Sequence, residues 1–244
     1  VKKAFAEYTA AYNADDPKIK LKIDHTYRVA ALCERIAKAA GMCAYDVELA
    51  WLSGMLHDVG RFEQIKRYNT FSDADSVDHA KFGADLLFKD GLISTFLNGM
   101  VKCTGYKPGA LEDRYSSDGV FLYDRLNKSD MEMLELAIRC HNMYRIPQGL
   151  NSREQAFCNV LRDADKVDIF KVNIDTPLEE IYNTTTEELM KSDITDEVLE
   201  AFDEEHCILK AIRRTPADTV IGHVSLAYEL VYDESVRITV EQGY

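Results

Sequence analysis

The chain has 244 residues, of which 46% are hydrophobic and 29% charged, with 12 Gly and 5 Pro. This is the composition of an ordinary folded protein, and a chain of this length can bury a sizeable core. The net charge of -13 at pH 7, without a run of Lys and Arg interleaved with aromatic residues, argues against a long nucleic acid as partner. A small phosphorylated molecule is compatible, because a bound divalent cation inverts the local potential.

Cysteine usage and hydropathy indicate the compartment. None of the six cysteines shows C-x-x-C spacing, and the chain opens without the apolar run that a secretory signal needs. No stretch approaches the roughly 18 uninterrupted apolar residues of a membrane span. We therefore expect a cytoplasmic protein with reduced thiols and no membrane partner.

Helical periodicity recurs along the chain, whereas runs of β-branched residues in strict alternation are short and few. This pattern predicts an all-α fold. The first two helices are expected at residues 1–13, ending before Pro17, and at 23–40, ending at Gly41.

A third helix is expected at residues 47–58. It places Asp58 on the apolar face that carries Trp51 and Gly54. An inward carboxylate is costly unless it is paired, hydrogen-bonded or bound to a metal, so this position predicts a cation. Gly60 is expected to permit the turn that ends the helix.

The middle of the chain is less regular. A helix over 78–89 carries His79, and residues 94–128, which are punctuated by Gly, Pro and Ser, predict short elements and long loops. A capping box that begins at Ser129 then starts a helix that reaches His141.

The next helix begins at residue 151 or 152 and carries three candidate carboxylates. Asp168 lies within its apolar stripe, whereas Asp163 and Asp165 lie on the two opposite edges of that stripe. Asp163 and Asp165 therefore cannot both face one ion.

The remainder of the chain is acidic, and it predicts two or three amphipathic helices followed by a last helix over about 217–234. There is neither an internal repeat nor a low-complexity linker. We therefore expect a single domain over 1–244, with a motif-bearing core at about 20–172 and a helical extension at about 177–244.

Imidazole and carboxylate side chains, the ligands that a divalent cation uses to activate water, recur on these predicted helices. The adjacent pair His57-Asp58 is the most specific of them, since two neighbouring ligands near a helix end can close on one ion. A catalytic metal site is therefore the first hypothesis. Its candidate ligands are His25, His57, Asp58, His79, His141 and Asp165.

Three segments together resemble the HD superfamily of metal-dependent phosphohydrolases, which is named for a His-Asp doublet. They are DHTYRVA at 24–30, GMLHDVGR at 54–61 and RDADKVD at 162–168. The resemblance spans roughly residues 20–172 and implies an HD-domain helical bundle with additional C-terminal helices. Each segment alone would be weak, but the three in order are specific.

The resemblance implies which residues bind metal. The metal ligands would be His25, His57, Asp58 and Asp165, the last because it directly precedes Lys166. The cofactor would be one or two divalent ions, with Mn, Mg, Fe, Co, Ni and Zn all open.

Two further histidines, His79 and His141, resemble the extra ligands of family members that hold two metals, in which Asp58 would bridge the ions. With one metal, these histidines would instead contact the substrate phosphate or donate a proton.

The implied activity is hydrolysis of a small phosphate ester, a nucleotide or a related phosphomonoester or diester, by a metal-activated water. Asp58, His79 and His141 are its candidate catalytic residues, and Arg61, Lys66 and Lys166 are the nearest cationic side chains that could bind the phosphate. For Lys66, exposed surface charge is an equal alternative.

Two other functions stay open at the level of sequence. Some HD-fold proteins, such as the myo-inositol oxygenases, use the same six-ligand pattern to hold a di-iron centre that activates oxygen. A metal-stabilised binding or regulatory module with little turnover is the other. The substrate, the metal and the oligomeric state are also open.

Overall fold

The computed structural model describes residues 1–13, 15–97, 126–179 and 184–243, and within these ranges it is helical without strands. The predicted all-α fold is confirmed. The loops predicted for 94–128 lie, from residue 98 to 125, outside the described residues.

The chain divides into two compact units, Val1–Leu161 and Arg162–Tyr244. The prediction of one domain over 1–244 stays a prediction. The described helices of the first unit are α1 (Lys2–Thr9), α2 (Pro17–Ala39), α3 (Ala44–Leu56), α4 (Val59–Tyr68), α5 (His79–Ala84), continued by the π-helix Asp85–Lys89, α6 (Ile93–Phe96) and α7 (Lys128–Cys140). Helix α8 (Ser152–Asp175) contains the boundary between the units.

The second helix begins six residues before the predicted start. Asp16 caps it, since its carboxylate accepts a hydrogen bond from the backbone N–H of Lys18 at 2.9 Å, and Pro17 takes the first helical position. Proline suits that position because it has no N–H to satisfy. The longer helix adds six residues, more than one and a half turns, before His25.

Gly60 does not end a helix, contrary to the prediction. It lies inside α4, and a Cβ atom placed on it would lie 2.4 Å from the carbonyl oxygen of His79 and 2.7 Å from the backbone nitrogen of Gly83. The absence of a side chain therefore lets the backbones of α4 and α5 touch. This contact fixes the backbone of His79 against the helix that follows Asp58.

The N-cap of α7 is Asn127, not the predicted Ser129. The Asn127 side chain accepts from the backbone N–H of Asp130 at 3.0 Å, and the Asp130 carboxylate accepts from the Asn127 N–H at 3.2 Å. The capping box is thus shifted by two residues from the predicted one. The helix ends at Cys140, so that His141 takes the C-terminal cap position.

Further helices lie in the part of the second unit for which bounds are defined. They are α9 (Thr186–Met190), α10 (Asp196–Asp203), α11 (Pro216–Val224) and α12 (Asp233–Glu241), with short 3₁₀ segments at Lys210–Ile212 and Ser225–Glu229. The single last helix predicted for 217–234 is therefore wrong. Asp163 explains the break, because its carboxylate accepts hydrogen bonds from the backbone N–H groups of Val231 and Tyr232 and from the hydroxyl of Ser235.

The structure bears on two expectations from the sequence, those about disulfides and about membrane-spanning helices. None of the five described cysteines forms a disulfide, and Cys103 lies outside the described residues. Among the described helices, none is both long enough and apolar enough to cross a membrane.

Replacing Gly60 by Ala should lower the free energy of unfolding by about 2 kcal/mol, as measured by urea denaturation. Alanine favours a helix over glycine by about 1 kcal/mol, but a backbone contact of 2.4 Å cannot relax unless α4 and α5 separate. Lys66→Ala, on the exposed side of α4, is the control and should stay within about 0.5 kcal/mol of wild type. An unchanged midpoint for Gly60→Ala would contradict the close contact.

The second unit should lose stability in acid through His223. Burial, aided by the charges of Arg213 and Lys210, lowers the pKa of His223 from 6.5 to about 4. The unfolded chain therefore takes up this proton first, and the stability that the neutral imidazole provides above pH 6.5 is lost as the pH falls towards about 4. In urea denaturation, the stability difference between wild type and His223→Gln should shrink over this range.

His206 supplies a control of opposite sign. Its pKa is raised by the hydrogen bond to Glu204, so the stability difference between wild type and His206→Gln should grow as the pH falls. The same pH dependence in both variants would contradict the assignment to His223.

Candidate metal centre

Five of the predicted site residues converge in one buried cluster of the first unit. Each residue is at most 4% exposed, although the residues come from α2, the junction of α3 and α4, the start of α5 and the end of α7. They are His25, His57, Asp58, His79 and His141.

The carboxylate of Asp58 lies at the centre of the cluster, and each of its oxygens faces one pair of histidines. Its Oδ2 lies 3.6 Å from the Nε2 atoms of His25 and His57. Its Oδ1 lies 3.6 Å from Nε2 of His79 and 3.8 Å from Nε2 of His141. The Nε2 atoms are 3.3 Å apart in the first pair and 3.1 Å apart in the second.

The other ring nitrogen, Nδ1, shows where the protons lie on three of these histidines. In each case it is 2.7–2.8 Å from an oxygen that can only accept a hydrogen bond, so Nδ1 carries the proton and Nε2 of the neutral ring offers a lone pair. The acceptors are the carbonyls of Gly54 for His57 and of Ile138 for His141, and the carboxylate of Asp73 for His79.

With the protons on Nδ1, the Nε2 atoms of these histidines are suited to bind a metal ion. Two Nε2 lone pairs that face each other at 3.1 Å, as in His79 and His141, repel unless a cation lies near both. Ligand atoms about 2.1 Å from one ion lie roughly 3.0–3.4 Å apart, which matches the nitrogen spacing in both pairs. A ligating histidine also donates its second N–H to a carbonyl or carboxylate, as seen here. Each pair together with Asp58 could hold an ion.

Two cationic side chains share the carboxylate of Asp58. Lys22 Nζ lies 2.8 Å from Oδ2, and Arg61 Nε lies 3.8 Å from Oδ1. Burial acts to raise the pKa of Asp58, but the charge of Lys22, aided by that of Arg61, outweighs burial and holds this pKa well below its usual value. Asp58 is therefore ionised, and it can bind a cation without first losing a proton.

A loop between α4 and α5 orients His79. Its residue Asp73 accepts from His79 Nδ1 at 2.7 Å, from Arg61 Nη1 at 2.9 Å and from the side-chain amide of Gln64 at 3.0 Å. The fully buried Gln64 also bonds Ser76 Oγ and the carbonyl of Val77. The loop is thus tied to α4 at several points, and it presents the Asp73 carboxylate to the imidazole.

His79 is neutral in this setting. Burial, together with the nearby charge of Arg61, lowers its pKa to about 4, although the hydrogen bond to Asp73 acts in the opposite direction. Asp73, Asp78 and His79 also offer a group of possible ligand atoms. The His79 nitrogen near Asp73 carries a proton, however, so it cannot bind an ion on that side.

The sequence suggests Arg61 and Lys66 as cationic side chains that could bind the phosphate, and the two have different surroundings in the structure. Arg61 lies beside Asp58, but its Nη1 is engaged by Asp73, Gln64 and the carbonyl of Phe71. Lys66 is 61% exposed and pairs with Glu63, so the surface alternative is the better description of it.

Asp165 and Lys166 belong to the second unit. Asp165 is half-buried on α8, and its role as a metal ligand stays a prediction. Lys166 Nζ lies 3.2 Å from the carbonyl oxygen of Glu229, and burial lowers the pKa of this lysine. Its predicted contact with phosphate also stays a prediction. The carboxylate of Asp163 already accepts hydrogen bonds from residues at the start of α12. Asp165 is therefore the better candidate ligand of the two carboxylates at the edges of the apolar stripe.

Two residues that contact the cluster, Lys22 and Asp73, were not predicted from the sequence. Lys22 lies three residues before His25 on α2, a spacing that places both on one helix face and could have been noticed. Asp73 lies in a loop without periodicity and reaches His79 only through the fold.

Replacing Asp73 by Asn should weaken metal binding by about 10- to 100-fold, the range typical for a partner that orients a ligating histidine. Isothermal titration with manganese measures this affinity. Asp75→Asn, an exposed change of the same charge on the same loop, is the control and should bind as wild type does. Equal affinities for Asp73→Asn and wild type would show that His79 does not need its partner.

Comparisons with known proteins complete the description. One similar solved structure is that of a predicted HD superfamily hydrolase from an uncultured Thermotogales bacterium, with 17% identity, a TM-score of 0.39, and coverage of 100% of this chain and 93% of that one. A likeness this weak carries no argument about activity. No curated protein matches significantly. The HD domain model matches residues 23–171, more than half of the chain, and this protein therefore belongs to the HD domain family.

Proposed function

We propose that this protein is a metal-dependent phosphohydrolase that cleaves a small phosphate ester, such as a nucleotide or a related phosphomonoester or diester. The observation that carries the proposal is the ionised, buried Asp58, each of whose oxygens faces a pair of histidine Nε2 atoms. Membership of the HD domain family supports it.

The proposed metal ligands are the five clustered residues and Asp165. A bound divalent cation would lower the pKa of a water ligand and neutralise charge that develops on the phosphoryl oxygens. The chain itself supplies the orientation, because Asp73 and the two helix-end carbonyls keep the protons of His57, His79 and His141 on Nδ1. Burial of the cluster limits the access of competing water.

Two ions suit the arrangement better than one. Asp58 has one oxygen for each histidine pair, which is the arrangement expected of a carboxylate that bridges two metals. Under this proposal His79 and His141 are metal ligands, not proton donors.

The same observation supports a second candidate, an oxygenase of the myo-inositol oxygenase type, because such a bridged pair of sites also suits two iron ions. The two activities differ in what they consume. A hydrolase consumes water and cleaves the phosphate ester without oxygen, whereas an oxygenase takes up oxygen and requires iron.

The test is metal content together with phosphate release under argon. Protein purified without chelator should contain about two metal equivalents per chain, and manganese, magnesium or cobalt should support release of phosphate from model esters and nucleotides. Asp58→Asn should lose metal and slow release by more than the roughly 100-fold expected for an orienting partner. Asp75→Asn should retain both properties. Iron-dependent oxygen uptake without phosphate release would overturn the proposal in favour of the oxygenase.

A further inference from the structure

Lys22 is the cation closest to the central carboxylate. Its Nζ lies 2.8 Å from Asp58 Oδ2, the same oxygen that the His25 and His57 rings approach to 3.6 Å. The Lys22 side chain is 19% exposed, whereas Asp58 is 2% exposed. Lys22 therefore connects the buried carboxylate to the surface.

The contact between Lys22 and Asp58 competes with a metal. The carboxylate carries one negative charge, and a divalent cation at the His25 and His57 pair would neutralise it and repel an ammonium group a few ångströms away. Lys22 would then need another anion, because a partly buried ammonium group without a partner is costly.

Phe71 keeps Lys22 near the cluster independently of the carboxylate. Lys22 Nζ lies 5.6 Å from the centroid of the Phe71 ring, and the Arg61 guanidinium lies 5.7 Å from the same centroid. A cation beside an aromatic ring is attracted by the ring's electrons. Phe71 is itself held through its carbonyl oxygen, which accepts from Arg61 Nη1 at 2.7 Å.

Arg61 is less suited to take a substrate anion. Its Nη1 is bound to Asp73, Gln64 and the Phe71 carbonyl, and these bonds hold the loop that orients His79. A shift of Arg61 towards a ligand would disturb that loop. Lys22 has no such structural role, since among the described residues its polar contact is with Asp58.

We propose that Lys22 binds the phosphoryl oxygens of the substrate: it neutralises Asp58 in the metal-free protein, and it turns to the anion once the carboxylate is neutralised by a divalent cation. This inference rests on the proposed function. Lys22 contacts Oδ2 of Asp58, whereas Arg61 lies near Oδ1. Lys22 would therefore give the site a cation for phosphate on the Oδ2 side of the carboxylate.

The test compares wild type with Lys22→Met, which has a side chain of similar length but no charge. Isothermal titration measures manganese binding first, and then the binding of inorganic phosphate to the manganese-loaded protein. Lys22→Met should bind manganese as tightly as wild type or more tightly, because its competitor is gone. It should bind phosphate about 10- to 100-fold more weakly, the effect of losing one hydrogen bond to a charged group.

Two further variants serve as controls. Lys20→Met makes the same change at an exposed position of α2 and should leave both affinities unchanged. Lys22→Arg keeps the charge and should restore most of the phosphate affinity.

The outcomes separate this inference from the proposed function. If Lys22→Met binds phosphate like wild type, or loses manganese, Lys22 does not bind substrate, although the phosphohydrolase proposal stands while wild type still binds phosphate. If manganese-loaded wild type does not bind phosphate, both proposals fail.

Discussion

A carboxylate buried among four imidazoles must be neutralised, and the first unit is organised around this requirement. Asp58 would cost several kcal/mol if it lacked a compensating charge. Lys22 lies next to one of its oxygens and Arg61 next to the other. Both cations are monovalent, and the Nε2 atoms of each histidine pair face one another at 3.3 Å and 3.1 Å. A divalent cation bound by a pair would lie between these nitrogen atoms and add to the charge that neutralises Asp58.

Helix ends and close helix contacts set the geometry of the cluster. His57 and His141 each take the C-terminal cap position of a helix and donate Nδ1–H to the carbonyl three residues earlier. Such carbonyls lack partners within the helix, so the helix end itself fixes the ring. Gly54 and Gly60 let neighbouring backbones touch, and a Cβ on Gly54 would lie 2.7 Å from the Cα of Ala30. The ligand atoms are therefore positioned by backbone contacts, which tolerate little displacement.

The cationic side chains near the cluster divide two tasks. Arg61 serves structure, because it ties the Asp73 loop to α4 and so orients His79. Lys22 lies closer to the surface and makes fewer bonds, which leaves it available to a ligand. Under the proposed function, the site would thus have one cation that is fixed and one that can change partner.

The sequence by itself determined the helical class and the chemical identity of the candidate ligands, because the helical period shows which face is apolar and an inward Asp58 demands a cation. Only the tertiary structure decided that the histidines pair on separate oxygens, that Lys22 joins them, and that Asp73 orients His79. It also decided that the last predicted helix is broken, since Asp163 bonds backbone groups almost 70 residues away. Periodicity reports which face of a helix is buried, but hydrogen bonds between residues distant in sequence leave no periodic signal.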